Sequence, residues 1–209
     1  MCNLYRMTKN ADEVAKWFAA LNEAAGANFG AEVYPGYPGL VVAEGRVRQM
    51  NWGFPVVLKG KKGQSLKPKP VTNARDDKLT TAFWRDSFAK RRCLIPVTKW
   101  AEPEGKAGAM TRTWYRLGGH EMFAVAGLWR PTAEWGDAYT MVMADACAAM
   151  FDVHDRMPVI LTADQYEQWQ HGSEDEAMAL VRTCDLELAV ERTDALWVSG
   201  ERPAQTSLL

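Results

Sequence analysis

A chain of 209 residues suits one large domain, or one domain with a helical appendage. With 47% hydrophobic and 24% charged residues it has a globular composition. No apolar run nears the roughly 20 residues of a membrane span, and no basic-then-apolar leader opens the chain, so a cytoplasmic location without membrane contact is expected. A net charge of −1 does not announce a nucleic-acid binder. The cysteines at 2, 93, 147 and 184 form no CxxC pair and no spacing with histidine that suits a metal. That argues against a zinc site or a disulfide framework, and nothing calls for another cofactor. Cys93, Cys147 and Cys184 read as small buried hydrophobes.

In chain order, residues 3–8 read as a strand leading Cys2 into the core. Asn10 with Glu13 is a capping box, and Val14, Trp17, Phe18 and Leu21 share a helical face, so a helix over 11–24 is expected, ended by Gly26 and Gly30. Leu40 to Ala43 and Arg46 to Trp52 form a hairpin around Glu44-Gly45, and Trp52-Gly53-Phe54-Pro55 closes it. Residues 59–70 are a Lys/Gly/Pro loop without hydrophobic period, expected to be exposed.

A helix over 80–90 buries Phe83, Trp84 and Phe88. Cys93 to Val97 is a buried strand that Trp100-Ala101-Glu102 extends. Thr113 to Leu117 and Met122 to Trp129 read as a second hairpin, and Tyr139 to Ala144 as a further strand. Ala146 to Phe151 is one helical turn, and residues 154–158 a polar link into the strand Val159-Ile160-Leu161. Capping boxes at Thr162/Gln165 and Ser173/Glu176 open helices to about Gln170 and Thr183. Leu186 to Val190 and Ala195 to Val198 are late strands, and 201–209 a frayed tail. Strands outnumber helices and many join through hairpins. The expected fold is a single α+β domain on a mostly antiparallel, barrel-like sheet flanked by helices.

Charge is distributed unevenly. Residues 46–92 carry thirteen cationic side chains, among them Arg46 and Arg48, against Asp76, Asp77 and Asp86. Such a stretch suits phosphate contacts, or is a solvated lysine loop.

Several polar residues fit the core poorly. Cys2 follows the initiator, and removal of Met1 would leave an α-amine and a thiol on one residue. The amine can condense with an aldehyde, and the sulfur can then close a five-membered ring. Reference pKa values of about 7.7–8.0 and 8.5 leave both groups a reactive fraction near neutrality, which a depressed thiol pKa would enlarge. Asn73 sits in a polar break and serves either turn chemistry or a site. Glu102 ends an apolar strand, either desolvated with its pKa raised or facing solvent. His154 precedes an apolar strand, as a proton shuttle or as a structural histidine bonded to a backbone carbonyl. Arg75 either clamps a phosphate or pairs with Asp76 or Asp77. His120 and His171 read as surface residues.

Met1-Cys2, Trp52-Gly53, Asn73-Ala74-Arg75, Arg92-Cys93-Leu94-Ile95-Pro96 with Glu102 beyond, Ala126-Gly127-Leu128-Trp129 and Val153-His154-Asp155-Arg156-Met157-Pro158-Val159-Ile160-Leu161 follow one another in an order that resembles the SOS response-associated peptidase (SRAP) family, the abasic-site processing proteins. The resemblance runs from Cys2 to about Trp169. It implies a monomer that binds single-stranded DNA at abasic sites and crosslinks to them through the amino-terminal cysteine as a thiazolidine, after self-removal of the preceding residue. It also implies roles: Cys2 as nucleophile, Asn73 holding the Cys2 end and the opened sugar, Glu102 shuttling protons, and His154 acting on the sugar oxygens. On the DNA side it implies phosphate pairing by Arg75 and base stacking by Trp52; Arg46 and Arg48 of the basic stretch, and Arg156, are expected to complete the DNA-binding set.

The chain departs from the family pattern in places. Cys2-Asn3-Leu4 stands where the family has Cys-Gly-Arg, with Arg6 as the substitute on the same strand face. Trp100-Ala101-Glu102-Pro103 stands for Phe-Tyr-Glu-Trp, and the Trp-Gly-x-x-Pro segment is shortened. Two other classes of function remain open at this point: a cysteine peptidase acting in trans, and a non-covalent single-strand binder indifferent to the lesion.

Overall fold

The computed structural model describes residues 2–27 and 30–197. Its elements in order are β1 (Tyr5–Arg6), α1 (Ala11–Trp17), β2 (Leu21–Asn22), β3 (Glu32–Val33), β4 (Pro38–Ala43), β5 (Arg46–Trp52), β6 (Phe54–Val56), β7 (Lys69–Val71), β8 (Asn73–Arg75), α2 (Arg85–Lys90), β9 (Arg92–Val97), β10 (Lys99–Glu104), β11 (Thr111–Leu117), β12 (Phe123–Thr132), β13 (Gly136–Asp145), β14 (Arg156–Pro158), β15 (Ile160–Leu161), α3 (Tyr166–His171), α4 (Glu174–Ala179) and β16 (Leu188–Leu196). None of its helices is long and apolar enough to cross a membrane.

Five strands close a ring. β13 pairs antiparallel with β12, β12 with β9, β9 with β4 and β4 with β5, and β5 returns to β13 in parallel through Asn51↔Ala138 and Trp52↔Tyr139. The expected barrel-like, mostly antiparallel α+β fold is the fold observed. Closure removes the open edges such a sheet would otherwise expose. β9 is buried at every position, because the ring lies on one side of it and α2 and α3 on the other. Its first residue, Arg92, is cationic yet buried. Its guanidinium donates to the carbonyls of Phe88, Trp169 and Gly172, satisfying the carboxyl ends of α2 and α3. Trp169 Nε1 donates to Cys93 O at 2.9 Å and docks α3.

A second sheet, ordered β16-β11-β10-β1-β3, stands against the barrel. Alternation gives it two faces. Leu4, Ala101 and Trp114 cluster on the outer one. Tyr5, Trp100 and Tyr115, in register across three strands, lie on the inner one. The indole of Trp100 stacks on Tyr115 at 5.4 Å, and Trp52 of the barrel meets Tyr5 edge-on at 5.0 Å. The hydroxyls of Tyr5 and Tyr139 are hydrogen-bonded to each other, joining β1 to β13. Gly39 lies beside both hydroxyls, where a Cβ would collide with them.

The Glu44-Gly45 hairpin is as expected, with both residues at positive φ (53° and 70°) as its tight turn requires. The three capping boxes form as read. Several expectations are corrected. β10 does not extend β9 but joins β1 and β11 in the second sheet, and the expected loop ends in β7, which pairs with β6. The first helix stops at Trp17, not near residue 24: Ala19 turns left-handed at φ 49°, and Leu21-Asn22 is drawn into parallel pairing with β5. The region 80–90 is helical only from Arg85, the α4 helix ends at Ala179, and Phe83 is 37% exposed. β11 and β12 are not a hairpin; β11 joins β10 and β16 in the second sheet, whereas β12 joins β9, β13 and β15 in the barrel sheet. The two late strands are one, β16; Val198 and the expected tail at 201–209 lie outside the described residues.

Candidate active site

The site forms along the seam between the two sheets. Cys2 precedes β1 and is fully buried. β8 and β14 flank β13 on either side, meeting Met143 through Arg75 and Pro158, so that Asn73 and the His154 segment approach from the barrel. Glu102 comes from the inner face of β10.

Asn73 is a buried strand residue, which settles its reading against turn chemistry. Its Nδ2 donates to Cys2 O at 2.9 Å and to Thr72 Oγ1 at 2.8 Å. Its Oδ1 is buried without a hydrogen-bond partner among the described residues. Thr72 Oγ1 in turn donates to Asn3 Oδ1 at 3.2 Å. The Asn3 that replaces glycine thus gives the amino-terminal segment a second tie to the barrel. Thr72 was not anticipated; its signal is a buried hydroxyl directly before Asn73.

Glu102 is fully buried, not at a solvent-facing strand end. Desolvation pushes its carboxyl up from the usual carboxylate range to about 7. Asp155, beside His154, pushes in the same direction. Burial, and then the Glu102 carboxylate, raise the Cys2 thiol well above its ordinary value, while its Sγ–H reaches Leu4 O at 3.6 Å. A depressed thiol pKa is therefore not what the site provides: the sulfur is held as a thiol. Burial also lowers the His154 pKa. Its Nδ1 accepts the Arg156 backbone N–H at 2.9 Å, which assigns the ring proton to Nε2. Asp155 Oδ1 lies 3.1 Å from the same Nδ1, a contact that becomes an ion pair only if the ring is protonated. His154 is thus held by a backbone N–H rather than by a carbonyl, while its side chain stays a fifth exposed.

The DNA-facing expectations fare differently. Trp52 is fully buried, its Nε1 donating to Thr72 O, and it presents no face for a base. Arg6 does share the Leu4 face, but that is the outer face. Its guanidinium lies over Trp114 at 4.4 Å and pairs with Glu32, directed away from Glu102. Arg46 and Arg48 pair with Glu23, and Arg48 with Glu44 as well. Arg75 is exposed and pairs with Asp77, while Arg156 pairs with Asp76 and Asp145. In contrast, Lys59, Lys61, Lys62, Lys67 and Lys69 are exposed and make no ion pair among the described residues. Cys93 and Cys184 are buried and Cys147 partly so, while His120 and His171 are exposed.

Fold and site together define a class: a barrel-centred α+β protein that seats an amino-terminal cysteine against a buried amide, a buried carboxyl near neutrality and an imidazole. The family description "SOS response associated peptidase (SRAP)" matches residues 1–196, and the chain belongs to that family. It is 30% identical over 132 residues to the abasic site processing protein YoqW of Bacillus subtilis, covering 59% of this chain and 57% of that protein. It is likewise 30% identical over 132 residues to the abasic site processing protein YobE of the same organism, covering 59% and 58%. The matched region is thus under two thirds of the length of these relatives. Crystal structures of a Bacteroides thetaiotaomicron protein (TM-score 0.75, 19% identity, 92% and 93% of the two chains) and a Bordetella bronchiseptica protein (TM-score 0.75, 23% identity, 92% and 99%) share the fold.

Proposed function

We propose that this protein bonds covalently to abasic sites in single-stranded DNA through Cys2, once Met1 has been removed at the same site. The observation that carries the reading is the placement of Cys2: Asn73 holds its carbonyl, and a carboxyl poised near neutrality acts on its thiol. The names of the relatives, abasic site processing proteins, point the same way.

The chemistry balances as follows. Hydrolysis of the Met1–Cys2 bond consumes one water and frees the Cys2 amine. The abasic sugar opens its hemiacetal to expose an aldehyde; His154, neutral by burial, takes up or returns the hydroxyl proton. The neutral amine adds to the aldehyde carbon, and loss of one water gives an imine. The sulfur then bonds to that carbon, and its proton passes to the ring nitrogen, directly or through Glu102. Amine, thiol and aldehyde become a thiazolidine and one water. A carboxyl with a pKa of about 7 is part acid and part base at neutral pH, so Glu102 can serve both the dehydration and the closure. Holding the sulfur as a thiol keeps it from other electrophiles until the imine is beside it.

Phosphate contacts fall to the exposed lysines of residues 59–69 rather than to arginines already neutralised by carboxylates. An abasic nucleotide, lacking its base, enters a buried site at lower cost than a stacked one.

The test is incubation of Met1-free protein with an oligonucleotide carrying one abasic site. A species that survives denaturing electrophoresis is expected, absent with Cys2→Ala and with undamaged DNA. Failure of the wild type to form it contradicts the proposal.

A further inference from the structure

The buried Trp52 leaves base stacking without the residue expected to provide it, so each exposed aromatic ring is a candidate. Trp17 is about half exposed on α1 and is hydrogen-bonded to Tyr166. Phe83 has the Arg130 guanidinium 4.6 Å from its centroid and Trp84 edge-on at 4.6 Å. Phe151 differs. It is 68% exposed, and among the described residues neither a ring nor a cation covers it.

Its position is specific. Val153 N and His154 N both donate to Met150 O, at 2.9 and 2.8 Å, so residues 150–154 form a tight helical turn on buried Met150. Residues three apart on such a turn share a side, so the spacing aligns Phe151 with His154. The next residue, Asp152, pairs with Arg192, and Arg192 also reaches Glu104 at 3.1 Å, two residues beyond Glu102. That bridge ties the turn to the strand that carries the carboxyl and pairs the acid next to Phe151. An exposed apolar ring thus stands on the turn that leads into His154.

We propose that Phe151 is the stacking platform of this site, taking the face of the nucleobase next to the abasic nucleotide. The proposal rests on the reading of the site given above. An abasic nucleotide leaves its neighbour's face without a stacking partner, and a phenyl ring can supply one regardless of base identity. A single apolar ring holds a base face, not a phosphate, so it complements the lysine loop.

The experiment uses single strands with 2-aminopurine placed on the 5′ or the 3′ side of the lesion. With wild type, fluorescence is quenched on binding at one of these positions, and the quench is lost in Phe151→Ala and restored in Phe151→Trp. In adduct assays Phe151→Ala raises the half-saturating DNA concentration about tenfold and leaves the limiting rate unchanged, whereas Phe83→Ala alters neither. Repeating the fluorescence with Cys2→Ser and a tetrahydrofuran abasic analogue, which offers no aldehyde to the amine, reads stacking without chemistry. If wild type forms no adduct but the Cys2→Ser complex still shows a Phe151-dependent quench, the covalent reading fails and the platform stands. Absence of quenching at both positions, or an equal quench in Phe151→Ala, overturns the platform.

Discussion

Asn73 reaches from the barrel to the start of the second sheet and donates its Nδ2 hydrogen to the carbonyl oxygen of Cys2 at 2.9 Å. The same amide group takes in Thr72, whose hydroxyl holds Asn3. Cys2 lies outside regular strand pairing, which begins at Tyr5, so these side-chain bonds set its position.

Asn73→Ala therefore leaves the Cys2 carbonyl without its donor in a buried setting, at a cost of about 1–3 kcal/mol. Adduct formation should slow by more than the stability loss explains, because an attacking amine displaced by even 1 Å loses much of its rate. Asn73→Asp keeps the shape and removes the donor, and should behave like the alanine variant. Thermal melting together with single-turnover adduct rates separates the two effects.

Glu102 sets the pH dependence. Its carboxyl moves from 4.5 to about 7 in the folded protein, so the native state binds this proton more tightly than the unfolded chain. Its contribution favours folding fully below pH about 4.5 and is lost as pH rises through about 7, a difference of roughly 3 kcal/mol at most. Glu102→Gln removes this penalty. Its melting temperature should equal or exceed wild type at pH 8 and lose that advantage toward pH 5, while adduct formation falls at least tenfold. A wild-type rate profile without an inflection near pH 7 would contradict the assignment of Glu102.

The Tyr5–Tyr139 hydroxyl pair is the buried tie between β1 and the barrel, and Gly39 leaves room for it. Gly39→Ala drives a methyl into both hydroxyls, and a destabilisation of about 1–3 kcal/mol is expected. Because Tyr5 leads directly from Cys2, the adduct rate should fall as well. Tyr139→Phe, which removes one hydroxyl and adds no bulk, should lower stability by a smaller amount, about 1 kcal/mol. Denaturant melts of the two variants check the order.

Arg192 bridges Glu104 and Asp152, one on the Glu102 strand and the other on the His154 turn. It is half exposed and screened by solvent, so its effect on stability should be small. Its effect on the site should be larger in proportion: Arg192→Ala is expected to slow the limiting adduct rate severalfold, with little change in melting temperature. High salt should weaken the wild type toward the variant.

Much of this was legible where the signal is local. The Glu44-Gly45 turn, the three capping boxes and the apolar run of β9 depend on neighbours a few residues apart. The errors are long-range. α1 stops early because β5 recruits Leu21 and Asn22. β11 and β12 part because each finds a better partner in a different sheet. Whether Glu102 is buried depends on β1 and β11 flanking β10, which no window around Glu102 reveals. The arginines misled for the same reason: the carboxylates of Glu23 and Glu32 that neutralise Arg46 and Arg6 lie 23 and 26 residues away. The exposure of the lysine-rich stretch is legible because it has no hydrophobic period, but its last residues, Lys69 and Pro70, pair with β6 as part of β7, which composition does not reveal.

The most direct test of the central claim, that one residue supplies both the amine and the sulfur, is the intact mass of the wild-type adduct with an abasic oligonucleotide, before and after borohydride. The expected mass is that of the Met1-free protein plus the oligonucleotide minus one water, with no gain of two hydrogens on reduction, because a closed thiazolidine holds no imine. An adduct that retains Met1, or one that borohydride reduces in full as an open imine, would contradict it.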